Sequence, residues 1–158
     1  MPDVRELGPD ETHRAGPAML HLRPHLEHVA GFVARADEQR AGGYRLVASF
    51  DPGAETAAAA AGFRIAENLP WGRHLYVDDL STDPEFRGRG HADALYAWLV
   101  GEARRLGCGE LHLDSAVGPE REAAHRFYFN HGLRITAYHF AAPLPATEAA
   151  SAASRRAG

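Results

Sequence analysis

The sequence predicts an α+β fold, with helices laid on a mostly antiparallel sheet, and three observations carry that expectation. Val4–Leu7, Tyr44–Phe50 and Gly62–Glu67 read as short strands bounded by Gly and Pro turns, the latter two as a hairpin. From residue 75 the chain alternates strand, helix, strand, helix, strand instead, so both element types share one layered core. The 158 residues weigh 17.1 kDa, with 45% hydrophobic and 24% charged, which suits one domain with one core. That domain is expected over residues 1–142, and 143–158 is expected to be a disordered tail.

Val4 to Leu7 reads as a short strand closed by Gly8-Pro9. Asp10 or Thr12 can cap a following helix, and Pro17 and Pro24 break that region into pieces. Leu22, Leu26, Val29 and Val33 share a helical face, which predicts a second helix running to Gln39. On this stretch His21, His25 and His28 fall at a spacing fit for a metal. No Cys or supporting pattern lies near them, so a solvated helix face is the preferred reading and no metal is expected. Tyr44 to Phe50 alternates as a strand and Asp51-Pro52-Gly53 turns the chain. Ala57 to Ala61 is ambiguous by propensity, whereas Gly62 to Glu67 alternates again.

The stretch from Leu75 to Leu106 is the centre of the chain. Residues 75–80 read as a strand, with Leu75 and Val77 on one face and His74, Tyr76, Asp78 and Leu80 on the other. Pro84 stops it, and from Ala92 the apolar positions 92, 95, 96, 99, 103 and 106 trace one side of a helix that Gly107 caps. Glu110 to Ser115 is the next strand, a helix runs from Gly118-Pro119-Glu120 to Gly132, and Arg134 to Phe140 is expected as the final strand.

The turn Arg87-Gly88-Arg89-Gly90-His91-Ala92 opens the central helix. Its first backbone N–H groups have no helical carbonyl to reach, its glycines admit a ligand close to the main chain, and its arginines add positive charge. An anion is expected here, most naturally a diphosphate. The Rossmann fingerprint would need a small residue where Asp93 stands, and the P-loop Gly-Lys-Ser/Thr is absent. The plainer alternative is a glycine turn with solvated arginines.

Arg87-x-x-Gly90-x-Ala92, after Asp78-Asp79-Leu80-Ser81-Thr82 and before an amphipathic helix, resembles the acyl-CoA signature of the GNAT superfamily of N-acetyltransferases. Ala124-His125-Arg126-Phe127-Tyr128, closing on Gly132-Leu133, is similar to that superfamily's second motif. Arg121 departs from the pattern, since the family usually has Asn there. The resemblance implies a GNAT-like mixed, mostly antiparallel sheet flanked by helices, with splayed central strands holding acyl-CoA. It also implies that residues 1–142 are an acyl-CoA N-acyltransferase domain using acetyl-CoA as cosubstrate. Leu80, Ser81 and Thr82 would meet the pantetheine arm through main chain, and Arg87, Gly88, Arg89, Gly90, His91 and Ala92 would hold the diphosphate.

Acetyl transfer to an amine needs a neutral amine, a place for the carbonyl oxygen and a proton for the departing thiolate. An alkylammonium with pKa near 10.4 sits about three units above neutral pH, so freeing the amine costs roughly 4 kcal/mol. Asp78 is the expected base because its parity matches Leu80, whereas Asp79 has the opposite parity. Tyr128 matches the family's frequent general acid. The plainer alternatives are turn aspartates and a packed aromatic. Asp78, Asp79 and Asp114, if they face one cleft, favour a small cationic amine over a carboxylate-bearing acceptor.

Composition excludes other classes. The net charge is −4 at a sequence pI near 6.2, against nucleic-acid binding. No apolar run approaches a membrane span, and the acidic start MPDVRELGPD lacks a signal-peptide core, so a cytoplasmic protein is expected. Cys108 is the single cysteine and sits between two glycines, where a small buried residue is the preferred reading. The leading reading is direct acetyl transfer in a ternary complex to a primary amine, that of a small cationic molecule ahead of a protein or peptide amine, with a homodimer left open. The alternative is an acyl-CoA-binding sensor or regulatory module on the same fold, without chemistry.

Overall fold

A computed structural model of the chain describes residues 1–147. Two compact units divide it, the first Met1–Asp114 and the second beginning at Ser115. The first holds a five-stranded sheet of β1 (Asp3–Leu7), β2 (Arg45–Phe50), β3 (Ala59–Asn68), β4 (Gly72–Thr82) and β5 (Glu110–Leu113), in that spatial order. Pairing is antiparallel from β1 to β4 and parallel between β4 and β5, whose connection is the helix α3 (His91–Arg105). A parallel pair needs such a crossover, and the helix covers the sheet as it returns.

The sheet is covered on both faces. Against one lie α1 (Gly16–Leu22) and α2 (Val29–Arg40), with Met19, Phe32, Leu46 and Phe50 in a shared cluster. Against the other lies α3, whose Leu95, Leu99 and Ala103 meet Val47, Phe63, Leu75 and Val77. The Ala57 to Ala61 run resolves here as fully buried and mostly strand, with Ala57 and Ala60 in the first cluster and Ala59 and Ala61 in the second. Small side chains on a strand buried on both sides let the helices approach it closely.

Three expectations are corrected. His21, His25 and His28 do not share a helical face, because Pro24 ends α1 and starts a 3-10 turn over Pro24–Leu26 before α2 begins. His21 instead accepts from Arg87, and His28 caps α2 by accepting from the Gly31 N–H. Arg134 to Phe140 is not a strand, and Ile135, Tyr138 and Phe140 are exposed. Alternation of apolar residues creates a strand only where another strand lies alongside to pair with it. The faces of β4 also differ from the expected parity, as described below.

The second unit carries α4 (Glu122–Asn130) after a 3-10 turn over Pro119–Arg121. Gly132, at φ 80°, lets the chain turn back so that the Leu133 N–H reaches the Tyr128 carbonyl. Residues 143–147 have no regular structure, and the rest of the expected tail, 148–158, lies outside the described residues. Among the described residues no helix is long and apolar enough to cross a membrane.

One ion pair locks α3 to the sheet. Glu102, buried, accepts from Arg105 at 2.7 and 2.8 Å and from Arg45 of β2 at 2.7 Å. The Arg105 hydrogen bonds lead in holding its carboxyl down to about 2 from an ordinary 4.5, with Arg45 adding to them. A depressed carboxylate pKa gives stability that is complete above the unfolded value and lost as pH falls toward the folded one. Urea midpoints measured between pH 5 and pH 2 are expected to show about 2 kcal/mol lost by the native protein in this window, with Arg105 open to solvent limiting the figure. Glu102→Gln should lack that part of the acid transition, and an unchanged profile would remove Glu102 as its source.

Candidate active site

The site begins with an irregularity in β4. Gly62 of β3 pairs with Asp79 and Phe63 with Val77, so Asp78 is an extra residue with no opposite number. Such a bulge shifts the face of every residue beyond it. Tyr76, Asp78 and Asp79 therefore line one cavity on the α1/α2 side, whereas Leu80 packs into the α3-side cluster with Leu75 and Val77. This overturns the expected parity: Asp78 does not share a face with Leu80, and Asp79 is not turned away from Asp78. Sequence alternation cannot register an inserted residue.

The cavity holds about 520 Å³ and is lined by residues from the α1 to α2 region, Tyr44 and β4. Asp79 is fully engaged, its Oδ1 accepting from Arg23 Nε at 2.8 Å and its Oδ2 from the Tyr44 hydroxyl at 3.1 Å. Burial first, and then Asp79, push the Tyr44 hydroxyl pKa far up, so it stays a neutral donor. Asp78 Oδ2 accepts from Arg64 Nε at 2.8 Å, while Oδ1 accepts no hydrogen bond among the described residues. Burial raises the Asp78 carboxyl above its ordinary value against the opposing pull of Arg64. Asp114 is not in the lining and accepts instead from the Tyr76 hydroxyl. The aspartates thus reach the cavity already paired with arginines, which removes the electrostatic ground for preferring a cationic amine over a carboxylate-bearing acceptor. Arg23, Arg64 and Tyr44, the partners that set these charges, carried no signal in the sequence.

Where the cavity wall continues into the end of β4, the sheet opens. β4 and β5 pair only from His74–Glu110 to Val77–Leu113, while β4 runs on to Thr82. Because β5 stops at Leu113, the main chain at 80–82 has no β5 neighbour. Ser81 is buried and its hydroxyl donates to the Ala18 carbonyl at 2.7 Å, so only its main chain is offered, and Thr82 pairs with Ala59.

The turn before α3 keeps its main chain open. Gly88 and Gly90 lie at φ 77° and 83°, and a Cβ built on either would meet no protein atom within 4 Å. Gly90 is the N-cap, and no side chain caps the helix, so its first N–H groups are presented outward with Ala92 among them. Arg87 donates to His21 at 3.0 Å, and Arg89 pairs with Asp51 at 3.2 Å. His91 turns inward: its side chain is buried, Nε2 donates to Asp51 at 3.1 Å, and Nδ1 then accepts from the Ser49 hydroxyl at 2.8 Å. Its part in the turn is main chain only.

In the second unit Tyr128 is half-buried, and burial raises its hydroxyl pKa while the Arg121 guanidinium opposes. The hydroxyl is therefore protonated at neutral pH. Arg121 also donates to Ser115 at 3.4 Å, and His125 Nε2 donates to the Ala116 carbonyl at 3.0 Å.

The profile of the Acetyltransferase (GNAT) family matches residues 6–133. An uncharacterized N-acetyltransferase, YhdJ of Bacillus subtilis (strain 168), is 30% identical over 137 residues, which span 85% of this chain and 93% of that protein. Among solved structures, ribosomal-protein-alanine N-acetyltransferase from Brucella melitensis biovar Abortus 2308 superposes with a TM-score of 0.73 at 18% identity, covering 91% of this chain and 100% of the other. Aminoglycoside N-acetyltransferase AAC(6')-Iy, solved with CoA, gives 0.73 at 18% identity over 92% and 96%. Glucosamine-6-phosphate N-acetyltransferase from Arabidopsis thaliana gives 0.67 at 18% identity over 92% and 99%.

Gly62 is the point where the cavity tolerates least change, since a Cβ there would lie 2.0 Å from the Tyr44 hydroxyl. Gly62→Ala is expected to cost about 2 kcal/mol in chemical denaturation. Gly109→Ala, where nothing lies within 4 Å, is the matched control and should be nearly neutral. Equal midpoints for the two variants would show that Tyr44 moves aside freely.

Proposed function

Because the chain belongs to the GNAT family of acetyltransferases, we propose that it is an N-acetyltransferase acting on the primary amine of a small molecule, by direct attack with both substrates bound. The family uses acetyl-CoA, which supplies the acetyl group as a reactive thioester. The observation that carries the reading is Asp78, placed in the cavity by the bulge with one carboxylate oxygen unengaged.

Asp78 Oδ1 receives the ammonium of the acceptor, the cationic part of any primary amine near neutral pH, and takes up its proton directly or through one water. Burial has already moved the Asp78 pKa upward, which narrows the gap to the amine. Main chain at Leu80, Ser81 and Thr82 lies along the pantetheine arm, with the Leu80 N–H directed to the thioester oxygen. Gly88, Gly90, His91 and Ala92 hold the diphosphate by main chain, and Arg87 and Arg89 add positive charge around it. The neutral amine attacks the thioester carbonyl carbon and the C–S bond breaks; Tyr128, kept protonated by its raised pKa, gives its proton to the departing sulfur and regains one from the N–H of the new amide.

The named acceptors of the solved structures are unlike one another, so the shared fold does not select among them. The direct test is release of CoA from acetyl-CoA, read with a thiol reagent against a panel of small amines. Acceptor-dependent release is expected, and tight acetyl-CoA binding without release from any amine would favour a sensor. Gly90→Asp should abolish acetyl-CoA binding by calorimetry, because it sets a carboxylate against the diphosphate at a residue with φ 83°; retained affinity would mean that the cradle lies elsewhere. Tyr128→Phe should lower turnover by about 10- to 100-fold with acetyl-CoA affinity unchanged, and undiminished turnover would remove it from the mechanism.

A further inference from the structure

The charges around the cavity do not balance once its internal pairs are taken out. Asp79 is neutralised by Arg23, and Asp78 by Arg64, which reaches in from β3. Arg35 remains: it lies on α2, lines the same cavity, is exposed, and makes no ion pair or hydrogen bond among the described residues. Glu38, one turn further along α2, is not part of the lining. An acceptor entering here therefore meets one unengaged carboxylate oxygen on Asp78 and one uncommitted guanidinium on Arg35.

A dication would find its first ammonium satisfied at Asp78 and its second facing a surplus positive charge. A molecule with an oxyanion beside its amine satisfies both ends. The planar fork of a guanidinium suits both carboxylate and phosphate, which it binds through paired N–H groups. His25, also in the lining, adds a second polar group on the same cavity. We propose that the acceptor is an amine carrying a carboxylate or phosphate group, and that Arg35 is the residue that receives this oxyanion. The inference rests on the reading that this cavity takes the acceptor.

The test compares amines in matched pairs that differ only in the oxyanion: β-alanine against β-alaninamide, O-phosphoethanolamine against ethanolamine, and larger amino acids and amino-sugar phosphates against their neutral counterparts. Putrescine serves as the dication. The full-length protein is expected to favour the anionic member of a pair by about tenfold in kcat/KM, chiefly through KM, as an exposed but bidentate contact allows. The pairs that show the advantage identify carboxylate or phosphate as the group. In Arg35→Gln the advantage should fall toward unity, and in Arg35→Glu it should invert, with acetyl-CoA affinity unchanged in both. Turnover of neutral amines or putrescine equal to that of the anionic members overturns the inference and leaves the acetyltransferase reading standing. An advantage that survives Arg35→Gln also overturns it, because the oxyanion is then held by another group. Absence of release with every amine overturns the acceptor reading of the cavity, and the inference with it.

Discussion

Between Val77 and Asp79 the β4 strand carries one residue more than the β3 strand beside it, and the functional end of the sheet follows from that mismatch. Before the bulge, Leu75 and Val77 face α3. After it, the alternation has slipped by one, so Leu80 joins them and Ser81 turns toward α1. At the slip itself two successive carboxylates reach the same side, which a regular strand cannot arrange. The ladder to β5 ends at Val77, immediately before the bulged residue. A change of face and a loss of neighbour thus coincide at Asp78.

Two aspartates on one cavity wall would repel and would each lose hydration, so the structure surrounds them with donors. Arg23 arrives from the broken segment between α1 and α2, Arg64 from β3, and Tyr44 crosses the sheet over Gly62. Each donor lowers the cost of a buried charge. The result is a cavity whose negative charge is committed to the protein rather than offered to a ligand, except at one oxygen of Asp78. This division between structural and available charge is what gives the free guanidinium of Arg35 its meaning.

A similar division shapes the turn ahead of α3. Its glycines keep the main chain open, while its side chains tie it to the rest of the unit: Arg89 and His91 both reach Asp51 at the end of β2, and Ser49 completes the chain into the core. The buried imidazole thereby fixes the first turn of the helix whose N–H groups no side chain caps. Preorganised donors need no rearrangement when charge arrives, which is the usual source of their value.

The sequence by itself determined the α+β class, the order of strands and helices through α4, the glycine turn at the head of α3 and the family signature around it. These are local properties, since hydrophobic periodicity, helix caps and turn glycines act within a few residues of one another. It also marked Asp78 and Tyr128, although by resemblance and by a parity that does not hold. Tertiary structure alone decided which face Asp78 occupies, because a bulge is a property of two strands and not of one. It decided that Asp79 is paired with Arg23 and Asp78 with Arg64, 56 and 14 positions away in the chain. It also decided that 134–140 forms no strand despite its alternating pattern, since a strand exists only through a neighbour that local sequence does not contain.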